Sequence, residues 1–154
     1  MTLSKKKIAG ISGLILILMI AGFVVTKKIS PIGANWWGEI NNSSGVALAG
    51  YDVVAYQTMS KAVSGDSQYK TSWHNIEWHF SSEANKNLFL ASPEQYAPQY
   101  GGYCSFAVSK GVMANTDPLV WHVENNKLYL FMDEGVKSDW ISGNGIVDSE
   151  RNWQ

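Results

Sequence analysis

An α+β fold, a small single domain of short antiparallel hairpins and short helices preceded by one N-terminal transmembrane helix, is what this chain predicts. Three observations predict it. An uncharged run of eighteen residues, Ile8 to Val25, lies between Lys5-Lys6-Lys7 and Lys27-Lys28. Two pairs of aromatic and β-branched segments are each joined by a few polar turn residues, the pattern of a hairpin. Between and after those pairs, short stretches with helical patterning follow residues that cap helices, so the helices are interspersed with paired strands.

The N-terminal run comes first. At about 1.5 Å of rise per residue, eighteen helical residues reach roughly 27 Å, enough for a thin bilayer core. The larger positive cluster precedes it, which keeps the amino end cytoplasmic and sends the rest across. Residues 1–28 thus read as a membrane anchor or a signal peptide. The length and the flanking lysines speak for the anchor, and the small-residue cleavage site at Gly33-Ala34 is poor because Ile32 precedes it. The expected location is an inner (plasma) membrane of bacterial type, crossed once, with the C-terminal domain periplasmic or otherwise extracytoplasmic.

Residues 29–45 read as a linker rich in Pro, Gly, Asn and Ser, with Trp36-Trp37 as an aromatic anchor at the membrane surface, packing on the domain, or a partner contact. Residues 46–154 form the domain. Val46-Ala47-Leu48 reads as a short strand. Asp52 reads as the cap of a helix beginning near Val53, or as a cation ligand or proton acceptor. Tyr69 to Trp73 and Ile76 to Phe80 predict a hairpin turning at His74-Asn75. Ser82 caps a helix through Ala91, which Pro93 ends, and Cys104 to Ser109 predicts a helix stopped at Gly111. Val120 to Val123 pairs with Leu128 to Phe131. Helices over Val136 to Ile141, with Trp140 inward, and Ile146 to Trp153 complete the chain. No internal repeat is legible.

Net charge separates the two parts. The whole chain carries −1, but five of its twelve basic residues flank the apolar run. The exported part keeps seven basic residues against thirteen acidic ones, a charge of −6. Such a surface repels phosphate backbones, which argues against nucleic acid and leaves cations, cationic partners or a membrane protein as companions. A single cysteine provides no disulfide within the chain, so the domain must live on its core. No phosphate loop, dinucleotide fingerprint, Gly-x-Ser-x-Gly or His-Glu-x-x-His occurs, and no enzyme class is indicated.

The most informative stretch is Tyr96-Ala97-Pro98-Gln99-Tyr100-Gly101-Gly102-Tyr103-Cys104, which sets a stiffened, tyrosine-rich bend before the lone thiol. With Gly50-Tyr51-Asp52-Val53-Val54-Ala55-Tyr56 and Trp78-His79-Phe80-Ser81-Ser82, it resembles the membrane-anchored or exported branch of the YHS-domain family. In the wider family the resemblance implies a Phe-Cys-Ser-x-x-Cys arrangement whose thiolates suit soft metals. Here Ser81 and Asn85 stand at the two cysteine positions, so that metal site does not carry over.

Chemistry is therefore sought elsewhere. Cys104, Tyr103, Tyr100, Tyr51 and Asp52 are the expected ligand-binding residues, with copper or haem as the expected cofactor and Cys104 and His79 as the expected metal ligands. Cys104 admits two readings: a thiol activated at a helix start, or a buried thiol packed as a small apolar group. His79 should face away from Trp78 and Phe80, toward solvent, His122 away from Trp121, and His74 should sit in a turn. A tyrosine-lined pocket competes with tyrosines that are simply core.

Overall fold

A computed structural model describes residues 30–31, 38–42 and 44–153; the apolar run and Trp36-Trp37 lie outside them. Among the described residues no helix is long and apolar enough to cross a membrane. The order is β1 (Ser30–Pro31), a tight turn (Ala47–Gly50), α1 (Val53–Thr58), β2 (Asp66–Trp73), β3 (Ile76–Phe80), α2 (Glu83–Ala91) and α3 (Pro93–Tyr96). A second tight turn (Gln99–Gly102) leads to α4 (Ser105–Ser109), β4 (Val112–Met113), β5 (Asp117–Glu124), β6 (Lys127–Phe131), α5 (Glu134–Ser142) and α6 (Gly145–Asn152). The α+β class and both hairpins agree with the sequence expectation.

The second half of this order repeats the first, 51 or 52 residues later. Each half opens on a tight turn with two consecutive residues in the left-handed region: Leu48 and Ala49 in one, Tyr100 and Gly101 in the other. Each then runs through Gly-Tyr into a short helix. The Asp52 amide donates to the Val63 carbonyl at 2.8 Å, and the Cys104 amide donates to Ala114 at 2.9 Å. Both hairpins start at an aspartate, break register once and end on a phenylalanine: Asp66 faces Phe80 and Asp117 faces Phe131. The aspartate carboxylates accept from the amides of Gln68 and Leu119, each two residues on, at 2.9 Å. Each hairpin turns on two left-handed residues, His74-Asn75 and Asn125-Asn126. A capping side chain, Ser82 or Asp133, then opens a nine-residue helix in each half. The domain is one structural unit used twice.

This corrects the reading that the chain has no repeat. The two halves share geometry with few identities, because backbone hydrogen bonds and burial are met by different residues. Trp78 stacks on Phe89 at 5.1 Å in the first unit, and Tyr129 lies 4.8 Å from Trp140 in the second. Two core clusters follow from this, one around Trp78, Phe80 and Phe89, the other around Tyr103, Tyr129, Phe131 and Trp140. Each ring buries a large apolar area, which lets a small domain without a disulfide hold together. Across the units, Tyr56 meets Trp121 edge-on at 5.5 Å and its hydroxyl donates to the Pro118 carbonyl at 2.9 Å.

Two local expectations need correction. Val46 to Leu48 is no strand: left-handed torsions at Leu48 and Ala49 turn the chain back, and the Tyr51 amide closes on the Leu48 carbonyl at 3.0 Å. Pro93 does more than end a helix. Helix α2 stops at Ser92, and Pro93 takes the first position of α3, where its missing N–H costs nothing. Two pieces of the stretch read as linker also touch the domain. Ser30 and Pro31 pair with Met113 and Val112, and the Asn41 amide donates to the Gly101 carbonyl at 2.8 Å.

Candidate functional site

The tight turn Gln99–Gly102 organises a concavity among the described residues. Left-handed torsions at Tyr100 and Gly101 fold the chain so closely that a side chain at Gly101 would strike the Glu39 carbonyl. Only glycine lets the segment 38–42 lie there. That segment is fastened by the Asn41 side chain donating to the Gly102 carbonyl at 3.2 Å and by the Tyr103 hydroxyl donating to Gly38 at 3.1 Å. Between it, the first hairpin turn and the C-terminal helix lies a cleft of about 630 Å³.

Four aromatic side chains line that cleft: Trp73, Trp78, Tyr100 and Trp153. Glu39, Glu94 and Glu150 add three carboxylates, and His74 stands within 3.6 Å of Glu39. Tyr100 packs edge-on against Trp153 at 5.8 Å, joining the turn to the chain's last helix. Burial pushes the Tyr100 phenol well above its ordinary range, so the ring stays neutral.

Of the ligand-binding residues expected from sequence, Tyr100 alone lines the cleft. Tyr103 is buried beneath the turn, its phenol pushed up to about 12 by that burial. Tyr51 packs half-buried against the first core cluster. Cys104 is 0% exposed, and burial pushes its thiol up. Backbone groups of Ala107, Met132 and Phe106 hydrogen-bond to the sulfur without offsetting that burial. Of the two readings of Cys104, the structure takes the sealed, inert thiol. A helix start alone does not make a thiolate when water is excluded.

Asp52 is a second buried group with a full set of partners. One carboxylate oxygen accepts from the Val54 amide at 3.0 Å and so caps α1. The other accepts from the Ser81 amide at 2.8 Å, the Ser81 hydroxyl at 2.6 Å and the Asn85 side-chain amide at 2.6 Å. The residues at the two expected thiolate positions are therefore donors to a buried carboxylate. They do not fit a soft metal, and Asp52 has no vacancy for a cation. Asp52 and Cys104 also occupy equivalent places in the two units, each held by the amide two residues on and by one at the end of a hairpin.

The histidines do not converge. His79 turns away from Trp78 as expected, but its side chain is only 16% exposed: it lies against the glycines at 50 and 65 and bonds Glu77 at 2.8 Å. Hydrogen bonds from Lys70 first and His79 second hold the Glu77 carboxyl below its usual range. His122 pairs with Glu124 at 3.3 Å. Among the described residues no group of three or more His, Cys, Asp or Glu is placed to hold a metal ion. Neither expected metal ligand, Cys104 or His79, belongs to such a group, and the Cys104 sulfur is out of reach of solvent.

Sequence reasoning missed Trp73, Trp153 and the three glutamates as site residues. Trp73 lies in the first hairpin, Glu39 and Glu94 in two other segments, and Glu150 and Trp153 on the last helix and its cap, so no local pattern brings all five together.

The Phe80-Ser81-Ser82 edge, the capped helix behind it and the tyrosine–glycine turn now stand in one frame, and a known family shares part of it. Residues 58–100 match the YHS domain family. The match begins at the end of α1, takes in the first hairpin, α2 and α3, and ends in the second tight turn, so it falls on the first of the two units. No curated protein and no solved structure matches the chain. The matched segment holds Trp73, Trp78, Glu94 and Tyr100, four of the seven aromatic and carboxylate residues that line the cleft.

Proposed function

We propose that this chain is a membrane-tethered binding module, its YHS-bearing domain facing the periplasm or outside, which takes a small ligand in the cleft beside Tyr100. One observation carries the reading: the cleft is the place where four aromatic side chains and three carboxylates from separate segments meet around an open space. Its volume falls within the range of small-molecule sites. The lysine-flanked apolar run supports the tether and its direction. The ligand site moves from Cys104, where the sequence put it, to the turn's outer face, because a sealed sulfur offers nothing to a ligand. Among the described residues no Ser, Thr, Cys or Lys nucleophile lines the cleft, which favours binding over catalysis.

The test uses the full chain in maltoside micelles. Its tryptophan fluorescence is titrated with fractions of small molecules from the parent membrane and envelope, alongside a Trp153→Ala variant. A saturable change in the parent chain that the variant lacks supports the reading. A saturable change that survives in the variant but disappears with Cys104→Ser returns the site to the thiol and sinks the proposal.

A further inference from the structure

We infer that the cleft is selective for a small organic cation, an alkylammonium or quaternary ammonium group; this deepens the binding reading above and rests on it. Ring faces carry negative electrostatic potential and attract a cation whose charge is spread over C–H groups. Trp73 and Trp153 are two such half-buried rings, with the largely buried Tyr100 and Trp78 behind them. Among the described residues the charged lining has one sign: Glu39, Glu94 and Glu150 come from three different segments, and no described lysine or arginine lines the space. The imidazole of His74 is already within 3.6 Å of Glu39. Glu94 has no ion pair among the described residues, and Glu150 has only the exposed Lys127 at 3.5 Å.

Other ligand classes fit this lining less well. An anion would meet three carboxylates with no lysine or arginine among the described lining residues to balance it. A neutral ring would use the aromatic wall and strand the carboxylates. A bare metal ion wants several oxygen ligands converging on one point, and among the described residues no such group exists. An ammonium head with methyl or methylene groups uses both parts of the lining at once, the rings for its C–H surface and the carboxylates for its charge.

Choline, its uncharged carbon isostere neopentylcarbinol and the anion tert-butylacetate provide the test. Each is titrated into the full chain in maltoside micelles while the indole N–H signals of the tryptophans are followed by NMR. Choline should move the Trp73 and Trp153 signals saturably and bind at least about tenfold more tightly than the isostere. A Glu94→Gln/Glu150→Gln variant, altered only at exposed side chains, should weaken choline by about tenfold while melting as the parent does. Equal or tighter binding of the isostere or the anion at the same indoles overturns the cation inference and leaves the cleft as the ligand site. Choline binding indifferent to the double substitution also overturns it. If none of the three probes shifts these indoles, the cation inference fails, and the fluorescence titration with Trp153→Ala then judges the cleft independently.

Discussion

Replacing Asp52 by alanine tests how the first unit is held. Asp52 is wholly buried and its carboxylate accepts four hydrogen bonds, from the Val54 amide, the Ser81 amide and hydroxyl, and the Asn85 side chain. Losing the cap on α1 costs about 1 kcal/mol. Ser81 and Asn85 are half-buried, so water reaches part of what is stranded, and their orphaned donors add about 1–2 kcal/mol each. The sum is about 3–5 kcal/mol, a large share of the roughly 5–15 kcal/mol that holds a domain together. Urea unfolding of the full chain, followed by tryptophan fluorescence, measures it. Because Asp52 and Asn85 touch, an Asp52→Ala/Asn85→Ala cycle should show a coupling of about 1–2 kcal/mol. A loss under about 1 kcal/mol, or a coupling near zero, refutes the view that this carboxylate ties the turn, the hairpin and α2 together.

The other predictions concern the turn, the thiol and the phenols. Gly101→Ala forces a left-handed alanine and a Cβ against the Glu39 carbonyl; it should cost about 1–3 kcal/mol and speed proteolysis within 38–42. Unchanged cleavage there would show that the segment does not depend on the turn. Cys104 should react with iodoacetamide only as fast as the domain opens, in step with urea; rapid labelling of the native chain would contradict its burial. Cys104→Asp alone should destabilise by more than about 2 kcal/mol, since the second unit offers Met132 and Val136 where the first has Ser81 and Asn85. Adding Met132→Ser and Val136→Asn should recover about half of that loss, and no recovery would break the equivalence of the two units. In alkali, Tyr103 ionises near pH 10 when unfolded but only near 12 when folded. Its contribution, about 2 kcal/mol, is held below pH 10 and lost as the pH rises to 12. A stability that stays level across that window would refute this.

Local features of the chain were legible wherever their cause was local. The hairpin at His74-Asn75 follows from β-formers on either side of residues that tolerate left-handed torsions. Ser82, three residues before the amide it binds, announces α2, and Asp52 announces α1 in the same way. Trp140 turned inward as its helical position implied. The strand expected at Val46 to Leu48 failed because its small apolar residues obey a turn closed by Tyr51, which outweighs weak strand propensity. The repeat escaped notice because it is written in hydrogen bonds and burial, and these accept Trp or Tyr, Phe or Trp, Ser or Asp in equivalent places.

By itself, the sequence determined the helices, the hairpins, the aromatic supply for a core and the charge asymmetry about the apolar run, since each arises within a few residues of chain. Only the tertiary structure decided that Cys104 is sealed, that Asp52 is satisfied by groups 29 and 33 residues away, and that Trp73, Tyr100 and Trp153 share a cleft with three glutamates. Accessibility and convergence depend on which distant segments pack together. Packing is settled by the whole core at once, and no window of sequence contains it.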